Sequence, residues 1–140
     1  MDHKLDQVEQ HLLQMLLDGD DPILATLRSQ LALAKRKPRE VSAVGFFTQF
    51  DVPQEAPRLQ GNPSFRFGDI TADIEGLERG AGFVLFIENG ALTMLEGYTY
   101  DEPWPGSLRS YKLSYTGKPQ RDFPSLRATP GWPQQAATSP

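Results

Sequence analysis

Between Gly82 and Tyr98 the chain reads GFVLFIENGALTMLEGY: an apolar run, the four residues Glu88-Asn89-Gly90-Ala91, then a second apolar run. Asn-Gly accepts positive φ at both central positions of a tight turn, which suits the right-handed twist of paired strands. The segment therefore predicts a two-residue β-hairpin with strands over 82–88 and 91–98. The first run has the length of a strand and almost no polar positions, so it reads as central and covered on both sides. Any fold open to this chain must build an antiparallel sheet outward from that hairpin.

Two further stretches supply strands. VSAVGFFTQF, 41–50, alternates with Val44, Phe46 and Phe50 on one face, and SFRFGDITADIE, 64–75, forms a second long strand. In the latter, Phe65 and Phe67 differ in parity from Ile70, Ala72 and Ile74. A bulge at Gly68 would return all five to the core face. Residues 107–115 alternate as a last, edge-like strand. Ahead of these lie two helices, 3–17 and 22–37. Leu5, Val8, Leu12, Met15 and Leu16 make one apolar stripe, and Leu24, Leu27, Leu31 and Ala34 another. Gly19 separates them, Asp21 caps the second with Pro22 in its first turn, and Lys35, Arg36 and Lys37 suit a helix C-terminus. The expected architecture is α+β: an antiparallel helical hairpin on one face of an antiparallel sheet of about five strands.

The 140 residues suit one domain, 1–116, followed by a Pro-rich irregular tail, 117–140. In that tail Phe123, Leu126 and Trp132 are the side chains able to pin it across the sheet. Charge is unevenly spread. Residues 69–102 carry eight carboxylates against Arg79 alone, while 103–140 carry five bases against Asp122. Two readings stay open: an acidic surface that attracts a basic partner, or a basic tail folded back to neutralise it.

Several chemistries find no support. The chain has no Cys, which removes thiol catalysis, disulfides and thiolate metal sites and fits a reducing cytoplasm. No secretory signal and no membrane-length apolar run is visible. The two histidines, His3 and His11, lie outside any HExxH arrangement. DGDD, 18–21, opens like a calcium loop, but Ser29 stands where the bidentate Glu belongs, so helix capping explains it better. GLERGAG, 76–82, lies between strands and is a hairpin turn rather than a phosphate cradle. KRKPR, 35–39, lacks the interleaved aromatics of a nucleic-acid site. No metal, cofactor, nucleic acid or membrane is expected, and nothing points firmly to an enzyme.

The functional candidates cluster in LEGYTYDEPWPG, 95–106. Strand alternation would put Leu92, Met94, Glu96, Tyr98 and Tyr100 on one side. Glu96 would then face apolar surroundings, where loss of hydration favours the neutral acid. Tyr98, Tyr100 and Trp104 offer rigid apolar anchors, with Asp101 and Glu102 as steering charges. The structural alternative is a bulge at Gly97 that turns Glu96 to solvent while the aromatics close the sheet's end. Residues 82–105 resemble the closing hairpin of small uncharacterised bacterial proteins that share a GF-hydrophobic run, then LEGYTY or GFTY, then WP. Their size and acidity are those of accessory or immunity-type factors, and the resemblance carries no functional residue across. The expectation is a binding protein that meets a basic protein partner through Glu96, Tyr98, Tyr100, Asp101, Glu102 and Trp104. The alternatives are a small-molecule pocket or carboxylate enzyme centred on Glu96 between the helices and the sheet, and a homodimer formed through the sheet edge at 107–115.

Overall fold

The computed structural model describes residues 3–105, 108–116 and 118–134, and for His3 the backbone alone. The expectations at Ser107, at Gly117 and over 135–140 lie outside the described residues. Two helices, α1 (His3–Leu16) and α2 (Pro22–Leu33), lead into β1 (Lys35–Arg36), β2 (Glu40–Ser42), β3 (Gly45–Asp51), β4 (Phe65–Phe67), β5 (Thr71–Ile74), β6 (Ala81–Glu88), β7 (Ala91–Thr99) and β8 (Tyr111–Ser114); a short α3 (Phe123–Arg127) follows. The fold is α+β. Its eight strands form an antiparallel sheet in the order β1-β3-β7-β6-β5-β8, with β2 also on β3 and β4 also on β6. No described helix is long and apolar enough to cross a membrane.

The β6–β7 hairpin forms where Asn89-Gly90 places it, with φ of 52° and 79° at the turn and Glu88 opposite Ala91. Leu85 and Phe83 point to the core beside Leu92 and Leu95, together with Leu12, Leu16, Ile23 and Leu27 from the helices. That core face also bears two polar ties. Glu9 of α1 accepts from Thr48 Oγ1 at 2.9 Å. Gln30 of α2, 0% exposed, donates to the carbonyls of Pro57 and Gly90 and accepts from Leu92 N–H. Each helix is thus held to the sheet by a buried polar side chain as well as by its apolar stripe.

The sheet has more strands than expected because two long ones divide. The 41–50 strand is a hairpin: β2 pairs with β3 from Ser42↔Gly45 to Glu40↔Phe47. Val44 consequently sits exposed in the turn, and Thr48 replaces it on the face of Phe46 and Phe50. Only glycine fits at position 45, since a Cβ there would lie 2.0 Å from Gly97 O. In 64–75 the chain sets Gly68, Asp69 and Ile70 against Phe83 and Val84, because Phe67 pairs with Leu85 but Thr71 pairs with Gly82. The extra residue changes the parity, and Phe65, Phe67, Ile70, Ala72 and Ile74 are all buried.

The second helix stops at Leu33, not at residue 37: Ala34 is extended at φ −72°, ψ 146°. Lys35 and Arg36 instead pair with Asp51 and Phe50. The reason is tertiary. The nearly fully buried Glu9 carboxylate takes Arg36 Nη1 at 3.0 Å and Arg39 Nε at 3.1 Å, while Asp6 takes Arg39 Nη2 at 2.6 Å. Arg36 and Arg39 of the basic cluster anchor α1 while Lys37 faces Asp51, an outcome that Pro38 favours by barring a continued helix.

The Pro-rich segment expected to be irregular contains α3, capped by Asp122 on Ser125 N–H and Oγ. Its docking rests on Arg121, whose side chain is 3% exposed. Its fork holds Asp69 through two bonds of 2.8 and 2.9 Å, and Nη1 reaches the carbonyls of Met15 and Asp18. Arg127 binds Asp21, and Trp132 packs edge-on against Phe65 and Phe67. Beyond β8, whose four residues are shorter than the expected 107–115, the chain therefore belongs to the same core.

Candidate functional site

A one-residue offset in β7 decides where the candidate residues point. Phe86 pairs with Met94 but Ile87 pairs with Leu92, so Thr93 is extra. Leu92 and Leu95 both turn to the helices, and Met94, Glu96 and Tyr98 take the opposite face. Glu96 thus sits on the open side of the sheet, away from α1 and α2, a correction to the alternation that grouped it with Leu92. The pocket expected between the helices and the sheet does not contain it.

On that open face the positions normally given to polar residues are largely apolar. Glu96 stands between Phe47 of β3 and Val84 of β6, its direct cross-strand partners, with Met94 and Tyr98 before and after it along β7. Phe86 follows Val84, and Arg66 of β4 lies across Phe86 with its guanidinium 5.9 Å from the ring centre. Phe47, Val84, Phe86, Met94, Glu96 and Tyr98 are all half-buried. Among the described residues no hydrogen bond or ion pair reaches the Glu96 carboxylate.

Next along the face, Tyr98 and Tyr100 meet edge-on at 5.5 Å. They lie over Gly82, where a Cβ would come within 2.6 Å of Tyr98 Oη and 2.7 Å of Tyr100 Oη. Burial, the hydrogen bond with Tyr100 and the neighbouring charges of Tyr100 and Glu96 push the Tyr98 phenol above the usual tyrosine range. Tyr100 is 38% exposed, and Asp101 follows it with a positive φ of 63° and an exposed side chain. Glu96, Tyr98, Tyr100 and Asp101 thus form an aromatic, acidic corner. Asp73, Glu75 and Glu78 are also exposed, on β5 and the turn that leads to β6.

The other two candidates serve the fold. Both Glu102 oxygens are occupied, accepting from Glu78 N–H and Arg79 N–H at 2.9 Å each, and those bonds lower its pKa. Trp104 is 8% exposed and packs edge-on at 5.3 Å against Phe46, while its backbone N–H donates to Ala43 O at 2.7 Å. Thr99 N–H and Oγ1 donate to Val44 O, and Thr99 Oγ1 also donates to Glu102 O. The β2–β3 turn and the β5–β6 turn therefore clamp the loop from both sides, which fixes Tyr100 and Asp101 between them. With both oxygens on backbone N–H groups, Glu102 is tied to the β5–β6 turn.

Two features escaped the sequence. Val84 and Phe86 belong to the run that signalled coverage on both sides, yet both are only half-buried, because the side away from α1 and α2 is flanked by the C-terminal segment across open clefts rather than packed under it. Arg66, Gly68 and Val84 also line a cleft of about 500 Å³ with Lys118, Ser125 and Leu126, at the break between β4 and β5. Its visibility depends on the docking of α3, which no local pattern announces. On charge, the tail does neutralise Asp69 and Asp21, but among the described residues Glu96 and Asp101 form no ion pair with it. Comparison of the chain with protein-family models, with curated proteins and with solved structures found no match.

Proposed function

We propose that this protein acts by binding: a small cytoplasmic interaction protein of accessory or immunity type that meets a basic protein partner through the open face and acidic corner formed by Glu96, Tyr98, Tyr100 and Asp101. One observation carries the reading. Among the described residues Glu96 is a carboxylate that no hydrogen bond or ion pair reaches, set among half-buried apolar side chains on the sheet face turned away from α1 and α2. Within a folded domain such a charge forgoes part of its hydration for nothing, whereas a cation from another molecule would compensate it. The tyrosines supply rigid contact area beside it, and the acids of the β5–β6 side raise the encounter rate of a positively charged surface. Glu102 and Trp104 support this surface rather than touch the partner.

The test is an NMR titration of the labelled protein with a peptide of alternating lysine and leucine. Amide shifts should concentrate at Glu96, Tyr98, Tyr100 and Asp101, and Glu96→Lys and Tyr100→Ala should each weaken binding. Raising salt from about 0.05 to about 0.3 M should weaken it further, as the screening length shortens. Shifts that ignore both substitutions, or that fall on the helix side of the molecule, would refute the proposal.

A further inference from the structure

The open face is specific about the cation it would accept. Its centre is one carboxylate whose four direct neighbours, Phe47 and Val84 across the strands and Met94 and Tyr98 along β7, bring a single hydrogen-bonding group, the Tyr98 hydroxyl; Gln49, opposite Met94, stands on the diagonal and is exposed. An ammonium group is compact and strongly hydrated, and it would leave most of its donors facing hydrocarbon. A guanidinium is planar and weakly hydrated, engages a carboxylate through two parallel bonds, and lays its faces on aromatic rings. Phe47 across the strand and Tyr98 along β7 provide such rings next to Glu96. The neighbouring Phe86 and Met94 extend the apolar floor beyond the reach of one side chain, and so call for apolar residues flanking the cation.

Resting on the binding role given above, we infer that this sheet face seats a single arginine of a protein partner, with the guanidinium on Glu96 and flanking apolar side chains on Phe47, Val84, Phe86 and Met94. Charge complementarity selects this occupant over a second copy of the chain. A copy docked face to face would offer Arg66, the base already laid over Phe86, and would bring its own Glu96 to the same interface.

Three capped peptides test the inference, identical except for arginine, lysine or citrulline flanked by leucines, titrated by NMR into the full chain and into its Glu96→Gln variant. The arginine peptide should shift the amides of Phe47, Val84 and Glu96, and bind about tenfold more tightly than the citrulline peptide, the value of one charge-assisted bidentate pair. Glu96→Gln should bring the arginine peptide to the level of citrulline and leave the citrulline peptide unchanged. Thermal melting of the variant confirms that the fold is intact. Equal binding of the lysine and arginine peptides would overturn the inference and leave the basic-partner reading standing. Shifts confined to Tyr100 and Asp101 would do the same. An absence of shifts with any peptide would overturn both. A concentration-dependent dimer dissolved by Glu96→Lys would assign the face to a second copy and overturn the inference.

Discussion

Replacing Gln30 by leucine should cost this protein about 3 kcal/mol, a figure that follows from the three bonds its amide makes. The side chain is 0% exposed and joins α2 to the loop at Pro57 and to the β6–β7 turn at Gly90, with the Leu92 N–H bound in return. Each bond contributes about 1 kcal/mol net, and a donor left buried without a partner costs about 1–3 kcal/mol. The three partners differ in what remains to them. Gly90 O keeps Leu59 N–H at 3.0 Å, and Pro57 is exposed enough for its carbonyl to find water. Leu92 is buried, so its N–H stays unpaired. Exchanging the amide for methyl groups returns about 1 kcal/mol of apolar burial. The net loss of about 3 kcal/mol should lower Tm by about 10 °C for a chain of this size and lower the urea midpoint at constant slope. Gln30→Glu provides the internal check: one oxygen can still accept from Leu92, but the other faces two carbonyls. Burial there raises the folded pKa of the new acid. Its destabilisation should therefore be least at acid pH, where it is protonated and can donate, and should grow as pH rises. A Tm within about 3 °C of the parent for Gln30→Leu would show that the amide is not the tie described.

Three further outcomes follow from the same geometry. Arg121→Met removes the pair with Asp69 and two carbonyl bonds; with Asp69 partly open to water the loss should be about 2–3 kcal/mol, and in a Trp104→Phe background the emission of Trp132 should shift to the red as α3 undocks. Tyr100→Phe takes away one cause of the raised Tyr98 pKa, so phenolate absorbance should show Tyr98 ionising at lower pH; in the parent, the stability linked to Tyr98 is complete below the unfolded tyrosine value near 10 and is lost as pH rises through the higher folded one. Glu102 works in the other direction. Its folded pKa is lowered by two backbone N–H groups, so its contribution is present above the ordinary Glu value of about 4.3 and is lost as pH falls through the folded value; amide exchange at Glu78 and Arg79 should then quicken relative to the rest of the sheet, and Glu102→Gln should show that exchange at neutral pH.

Much of the fold was legible where one residue type answers one local demand. Asn89-Gly90 supplies two positive φ values and Asp21 caps Ile23 and Leu24 as its place before Pro22 implies. Gly68 allows the extra residue that keeps five apolar side chains inward. The candidate site was only half legible. Glu96, Tyr98, Tyr100 and Asp101 do gather at one corner, but the offset at Thr93, with no glycine to mark it, reverses the face on which alternation placed Glu96 relative to Leu92. Trp104 and Glu102 share the composition of an interface loop, and only the neighbouring turns show that both are engaged inside the molecule.

By itself the sequence determined the α+β class, the β6–β7 hairpin and the start of α2 at its Asp21 cap, because periodicity, turn chemistry and capping act over a few residues. Tertiary structure decided how the charges are spent. Arg36 and Arg39 close on Glu9, and Arg121 closes on Asp69, while Glu102 binds two backbone amides and Glu96 is left facing outward. A charge finds its partner through space, over sequence separations such as the 52 residues between Asp69 and Arg121, and no pattern along the chain encodes which one it will meet.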